Sequence, residues 1–591
     1  MEKTIKLLHS GVRIFSRGYR TFDQFVPVFK RGFDYLDRRA IEDNLGEYTY
    51  GGLLKVSLKL SKQITSLLDE KKQERVGFMC SNDANFVIVK WALWMSGQIA
   101  VPLCCFHPTV ALEYFLDDLD ASLLIAAPEH AARAKDVAAK TKTLVHIIDC
   151  NLKKEALIKY LPSANSCDTP VIDPEDFKDL KETDLGQDDS FYKNKDAMII
   201  YTSGSTGAPK GVIFTHANLH AQVQALAEAW KLSKRDCLLQ IMPNHRGQSV
   251  VLGFDAPLSI GARIVLLNKF DPADVWLQLL GVRKRPETRV NMFISHPHMF
   301  LMLIRVYENV LKHSDRMIDH IRTTCLTKVR LMSCGCGPVT RYIYDTWEAY
   351  TGHQIQERLS MAETGIIMAT PLHGTKTCGT VGLPLPGVHV RLTSEKGDAL
   401  IAEGSQSGTR VLGVSQPVSG MLQVRTDGAF TGYWRKPTTT QDVMTRDGWF
   451  KTGDLVQYSR GVYKVLGRLT TDVIRSGNNY FSTQMVEAIM RDHPEIRDAA
   501  VINIKNLTRG EYEVYAVVKL TEQSQMSKDK LLSWLSDNLP KFAIPTKIQF
   551  IKKIPRTWQG KPDKDLVQAL FNGDSKLEVP CEKNAATKQK N

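Results

Sequence analysis

The sequence predicts an α/β protein, with a large N-terminal region of layered, largely parallel sheets and a small α+β unit after it. Three observations carry that prediction. Short apolar runs of the buried-strand kind recur from residue 76 to residue 333, with helical-period segments between them. The pattern turns into a compact alternation of helices and strands after residue 471. The chain has 591 residues, 43% hydrophobic and 24% charged, enough for more than one globular domain.

The elements follow in order. Leu53 to Leu68 keeps apolar residues at three- and four-residue intervals and predicts an amphipathic helix. Val76 to Cys80 and Leu123 to Ala127 predict buried strands. Phe86 to Phe106 is the most apolar stretch, but Lys90 and Gln98 interrupt it. It predicts a helix followed by a buried strand rather than a membrane span. Residues 151–190 are polar and acidic, a surface excursion. Further strands are predicted at 197–201, 264–267, 291–294 and 329–333, and residues 400–430 hold short strands among Gly and Ser. The small unit predicts helices near 483–491 and 528–538, and strands at 498–503, 513–519 and 547–551.

Composition excludes several classes. The 77 basic and 64 acidic residues leave a net charge of +13 with no focus. Its clusters, such as Lys71-Lys72 and Arg283-Lys284-Arg285, are short, so a solvated basic surface is expected and nucleic acid is not. Eleven cysteines are too few for a disulfide scaffold. Cys104-Cys105 and Cys334-x-Cys336 are spaced too closely for the usual tetrahedral zinc pairing, and no histidine cluster is expected to complete them. They are expected to be free thiols. Residues 1–20 carry Lys3, Lys6, Arg13, Arg17 and Arg20 against one acid, with Ile5, Leu8, Val12 and Phe15 at helical spacing. That pattern predicts a mitochondrial transit peptide, cleaved near residue 19, and a matrix location.

The chemistry concentrates in one loop. The strand Asp196 to Tyr201 runs into Thr202-Ser203-Gly204-Ser205-Thr206-Gly207-Ala208-Pro209-Lys210-Gly211. Glycines allow close backbone approach, hydroxyls donate hydrogen bonds, and lysine adds a compact positive charge. Such a set suits a polyphosphate. It does not match the Walker spacing.

This run resembles the signature of the adenylate-forming superfamily of acyl-CoA synthetases, luciferases and peptide-synthetase adenylation domains. The resemblance spans roughly residues 40–570. Within that superfamily the chain is most similar to malonyl-CoA synthetases. The likeness rests on His107-Pro108, Arg330-Leu331-Met332, Gly379 to Val388, and Asp447 to Asp454. It implies a large ATP- and acyl-binding domain over 25–467, a hinge at 468–471 and a small mobile domain over 472–572. Residues 573–591 are a polar tail.

The resemblance also implies roles. Thr202, Ser203, Gly204, Ser205, Thr206, Gly207 and Lys210 would hold the ATP phosphates. Glu363, with Thr202, would hold Mg²⁺. Asp454 would bind the ribose, and Arg468 would contact the nucleotide. Lys561, in Pro555 to Lys561, would reach the forming acyl-adenylate bond, so Lys561, Glu363 and Lys210 form the catalytic set. ATP, Mg²⁺ and CoA are the implied ligands. The implied reaction joins a carboxylic acid to AMP with loss of pyrophosphate. After the small domain rotates, CoA thiolate displaces the AMP.

Malonate as substrate would bring a second carboxylate into the acyl pocket, and a buried anion needs a cation. Arg330 and Arg246 are the candidates, with Arg330 preferred, and His245 lies beside Arg246 in Met242-Pro243-Asn244-His245-Arg246. If neither arginine faces the pocket, a medium- or long-chain fatty acid is the alternative.

Several positions depart from the family pattern. Tyr-Gly-x-Thr-Glu becomes Leu359-Ser360-Met361-Ala362-Glu363. The lost threonine hydroxyl would cost roughly 1.5–3 kcal/mol at a charged phosphate. Of a histidine-rich run, His245 alone survives; Ser-Gly-Ser-Ala becomes Cys334-Gly335-Cys336-Gly337; and Lys-x-Gly-Gly-Tyr becomes Arg475 to Asn479. A weakened, non-enzymatic relative that binds nucleotide or acyl groups is therefore a further alternative.

Overall fold

The computed structural model describes residues 22–161, 169–202, 208–282, 288–397, 399–413, 416–476, 479–505, 512–557 and 561–572. The basic N-terminal segment, Ser203 to Gly207 of the phosphate loop, Gly477-Asn478, and the 573–591 tail lie outside the described residues.

Two large sheets form the body. One has nine strands, and its central five, Arg263–Leu266, Cys237–Gln240, Met292–Ser295, Leu331–Gly335 and Gln356–Met361, run parallel. The second has seven strands, with Leu144–Ile147, Leu123–Ala126, Arg75–Met79, Ile99–Pro102 and Asp196–Thr202 parallel. Its antiparallel partner Lys210–Thr215 returns along Asp196–Thr202, with Lys210 opposite Thr202. A six-stranded antiparallel sheet ends in Phe450–Ser459 and Val462–Arg468.

Local chemistry explains these elements. The helix Tyr50–Leu67 starts on Thr49, whose hydroxyl accepts from the Gly52 amide. Ala84–Met95 starts on Asp83, and all twelve of its residues are buried. It lies between the two large sheets' cores, so apolar residues surround its whole circumference. Lys90, the polar break in that run, forms a fully buried pair with Asp255 at 2.5 Å. No described helix is long and apolar enough to cross a membrane.

The expected strands appear within two residues of their predicted ends. Residues 400–430 hold the expected short strands, Leu400–Ser405 and Gly408–Val411, and also the nine-residue Val418–Thr426, paired on both sides. Gly420 permits this, because a Cβ there would meet the Thr393 carbonyl at 2.6 Å.

The C-terminal unit has its own core. Ile496–Lys505, Tyr512–Leu520 and Lys547–Phe550 form a three-stranded sheet. The helices Thr483–Asp492 and Lys528–Asn538 cover it, burying Val486, Met490, Val501, Val514, Leu531 and Leu535. Residues 469–472 form the turn between Val462–Arg468 and Val473–Ser476.

Candidate active site

In an open parallel sheet, ligands gather where strands end at their carboxyl side. His296 follows Met292–Ser295, Cys336 follows Leu331–Gly335, and Arg246 lies on the connection after Cys237–Gln240. Glu363 sits in the turn between Gln356–Met361 and Gly365–Ala369. These positions collect at one edge of the nine-stranded sheet.

The nucleotide end is built of paired charges. Tyr433 donates to Glu363 Oε1 at 2.8 Å, and the Phe430 amide donates to the Glu363 carbonyl at 2.7 Å. Lys210 Nζ stands over the Tyr433 ring, 4.7 Å from its centre. Glu363, Tyr433 and Lys210 therefore form one unit. Thr202 lies across the strand pair from Lys210 and donates to its carbonyl at 3.4 Å.

Asp454 and Arg468 face each other on adjacent strands, with Nε to Oδ1 at 3.6 Å. Burial pushes the Asp454 carboxyl up to about 6, although Arg468 draws it back. Glu363 and Asp472 add to the rise, which places all three carboxylates in one field.

Lys561 arrives from the small domain. Burial lowers its pKa, and Arg246 and Arg468 lower it further, against Asp472 and Cys336. Lys561 thus meets groups from both domains. Its own end of the chain is tied by Lys564, which binds Asp472 at 2.7 Å and the Thr471 carbonyl at 2.8 Å.

The other end of the site holds cations without carboxylates. Arg246 is exposed, and no described acid pairs with it. Arg358 is 4% exposed. Its NH groups reach Ser333 Oγ at 3.1 Å and the Ser295 carbonyl at 3.5 Å, and its Nε has no partner. Cys336 takes a left-handed backbone, φ +65°, and donates to Gln248 Oε1 at 2.7 Å. Burial opposes ionisation of this thiol, but His296, Arg358 and Arg246 bring it down to about 7. Beside Gln248 a cavity of about 10 Å³, walled by Leu226, Val251, Leu252, Ile366 and Leu385, has room for one water.

Arg330 is not part of this assembly. Its guanidinium is held by both oxygens of Asp236 at 2.6 and 2.7 Å and by the Trp230 carbonyl at 3.0 Å. It precedes Leu331–Gly335 whereas Cys336 follows it, so the strand separates them by about 17 Å. This corrects the preference for Arg330: the fold commits it to an ion pair at the opposite edge of the sheet.

A second expectation is also overturned. Cys104 does meet histidines: its Sγ and ligand nitrogens of His107 and His245 lie within 4.8 Å of one another. The His107 and His245 rings are edge-to-face at 5.1 Å. Burial, aided by Arg246, lowers His245 to about 3 and His107 to about 4, so both are neutral at pH 7. No local spacing reveals this, because His245 comes from the other large sheet.

Sequence reasoning also missed Tyr433, Arg358 and His296. Tyr433 sits 70 residues from Glu363 and has no motif around it. Arg358 stands inside the run that marks Glu363, and that was its one available signal.

The profile of the AMP-binding enzyme family matches residues 29–434, and that of its C-terminal domain matches 485–561. The chain belongs to the AMP-binding enzyme family and is an enzyme of the ATP-dependent acyl-CoA synthetase class. Among particular proteins it is 36% identical to the mitochondrial malonate–CoA ligase ACSF3 of Xenopus laevis, over 93% of both chains. It is 35% identical to that of Homo sapiens, again over 93% of both. Its fold resembles the ATP-bound MatB of Rhodopseudomonas palustris, with TM-score 0.71 and 23% identity, covering 93% of this chain and 99% of that one.

Proposed function

We propose that this protein ligates malonate, or its methyl derivative, to CoA through an acyl-adenylate. The observation that carries the substrate choice is the pair of guanidiniums, Arg246 and Arg358, that no described carboxylate neutralises. A dicarboxylic acid presents one carboxylate to react and one to pair with such cations. The curated relatives named above are malonate–CoA ligases.

Thr202 and Lys210, with Ser203, Gly204, Ser205, Thr206 and Gly207, hold the ATP phosphates. Asp454 accepts the ribose hydroxyls, and Arg468 keeps Asp454 oriented. Glu363 and Thr202 would hold Mg²⁺. One carboxylate plus a hydroxyl suits an ion that takes its other ligands from phosphate and water, and such an ion supplies charge neutralisation at the phosphates. Lys561 meets the negative charge that develops as the acid carboxylate attacks the α-phosphorus. His245 borders the acyl end. The turn at 468–471 then lets the 472–572 unit swing so that CoA thiolate attacks the acyl carbon and AMP leaves.

The loss of the family's threonine at Ala362 is offset by Ser360. Ser360 lies two positions earlier, near the end of the strand Gln356–Met361, and Ala362 opens the turn that follows. Its Oγ is buried without a partner, poised for a phosphate oxygen. With the basic N-terminal segment and the mitochondrial relatives, the proposed location is the mitochondrial matrix.

The test is pyrophosphate release from ATP and magnesium with malonate, methylmalonate, acetate and octanoate supplied separately. Release is expected with the first two. Lys561→Ala should slow it by about 10²–10³, the usual cost of one transition-state charge partner. Release with octanoate alone would replace the dicarboxylate reading by fatty-acid activation.

A further inference from the structure

Cys104, His107 and His245 form a cluster, and the proposed adenylate chemistry gives Cys104 and His107 no part. Cys104 and His107 lie on the segment that leaves Ile99–Pro102 in the seven-stranded sheet. His245 lies on the segment that leaves Cys237–Gln240 in the nine-stranded sheet. Asn244 Nδ2, next to His245, donates to the Cys80 and Ser81 carbonyls, each at 3.1 Å, which ties the His245 segment to the seven-stranded sheet just past its strand Arg75–Met79. The His107 amide donates to the Cys104 carbonyl at 3.2 Å, which closes the turn that sets the first two side chains side by side.

We propose that these three residues bind a zinc-class divalent cation, with the fourth coordination position left open toward the cleft. One thiolate and two imidazoles are a borderline-soft donor set, suited to Zn²⁺ and unsuited to Mg²⁺ or Ca²⁺. Tetrahedral bonds of the usual lengths put ligand atoms about 3.3–3.6 Å apart. Donor atoms that now lie within 4.8 Å reach that spacing by side-chain rotation of about 1 Å. Cys104 is 9% exposed, and both rings are half-buried.

Charge decides the fourth ligand. Arg246 and Arg133 both act on Cys104 and His107. They favour the thiolate and oppose the incoming cation. An anion in the open position balances the excess, so a metal here takes a carboxylate or chloride in preference to neutral water. The ion would fasten the two large sheets together beside Arg246 and away from Glu363, and so apart from the magnesium-binding end.

The test uses the full chain, stripped of metal with a chelator and titrated calorimetrically with zinc chloride alone. One ion per chain is expected. Cys104→Ser and His107→Gln should each weaken uptake by about tenfold or more, as ligand-shell losses do, while Cys105→Ser leaves it unchanged. Cobalt(II) chloride should give a thiolate charge-transfer band that Cys104→Ser removes and Cys105→Ser keeps. Circular dichroism confirms that each variant is folded, and the two ligand variants serve as alternatives should one of them misfold. No uptake at submillimolar zinc would overturn the proposal. So would uptake that neither ligand variant weakens, or that Cys105→Ser abolishes.

Discussion

The two ends of the active site handle charge in opposite ways. At the nucleotide end, each charged group has a partner in place. Glu363 has Tyr433, Lys210 has the Tyr433 ring, Asp454 has Arg468, and Asp472 has Lys564. At the acyl end, Arg246 and Arg358 crowd around a lowered thiol with no described carboxylate among them. A paired site is preorganised and costs little to keep empty. Arg358 is buried, so its unneutralised charge carries a desolvation cost that an incoming anion relieves, whereas Arg246 is exposed. Under the proposed function the first end handles the nucleotide and the second selects the acid.

The sharpest way to break this comparison is Arg246→Gln. Losing a charged hydrogen bond to a carboxylate costs roughly 1.5–3 kcal/mol. The KM for malonate should therefore rise by about one to two decades, with that for acetate little changed. An equal rise for both acids would place Arg246 in general catalysis.

Ser360→Ala tests the paired end. If its hydroxyl stands in for the missing threonine, pyrophosphate release with malonate should fall by about a decade, at the lower limit of the charged hydrogen-bond range. Thermal stability should hold, because the Ser360 hydroxyl bonds to nothing in the free protein.

Arg330→Gln should do the reverse. It strips Asp236, 4% exposed, of its bidentate partner. Arg330 is 29% exposed in its side chain, so solvent softens the loss. About 1–2 kcal/mol of stability should go, read as a lower urea midpoint, while the KM for malonate stays put. A changed KM with unchanged stability would return Arg330 to the substrate.

The smallest effect is the response to pH. Asp454 is raised to about 6 by burial, so below that pH its carboxyl is protonated and ceases to be a charged acceptor for ribose. The kcat/KM for ATP should rise with pH through about 6 and then level. Asp454→Asn should flatten the rise.

The raised carboxyl also carries a stability consequence. Its folded pKa lies above the unfolded value of 3.8, so folding favours the protonated form. That contribution is present below about 4 and fades as pH climbs through 6.

Much of this was legible from local pattern. The apolar runs at 123–127 and 197–201 became Leu123–Ala126 and Asp196–Thr202, because four or more consecutive buried apolar residues suit the centre of a parallel sheet. The helix Lys528–Asn538 stands where the sequence predicts one, and Ser527 caps it, its hydroxyl accepting from the Lys530 amide. Long-range charge pairing was not legible. Arg330 and Arg246 both read as candidates to meet a second carboxylate, with Arg330 preferred. Only the strand direction, which puts Arg330 at the start of Leu331–Gly335, separates their fates.

By itself, then, the sequence determined the class of protein and the motifs on which the proposed ATP site rests. Those features depend on backbone-close motifs, such as Trp449 to Asp454, whose chemistry is carried by neighbours in the chain. Tertiary structure alone decided which arginine is spent on Asp236, that Tyr433 joins Glu363 to Lys210, and that His245 completes a cluster with Cys104 and His107. The physical reason is range. Hydrogen-bonded motifs are set over a few residues, whereas ion pairs and ligand clusters require two sheets to bring distant strand ends to within 5 Å.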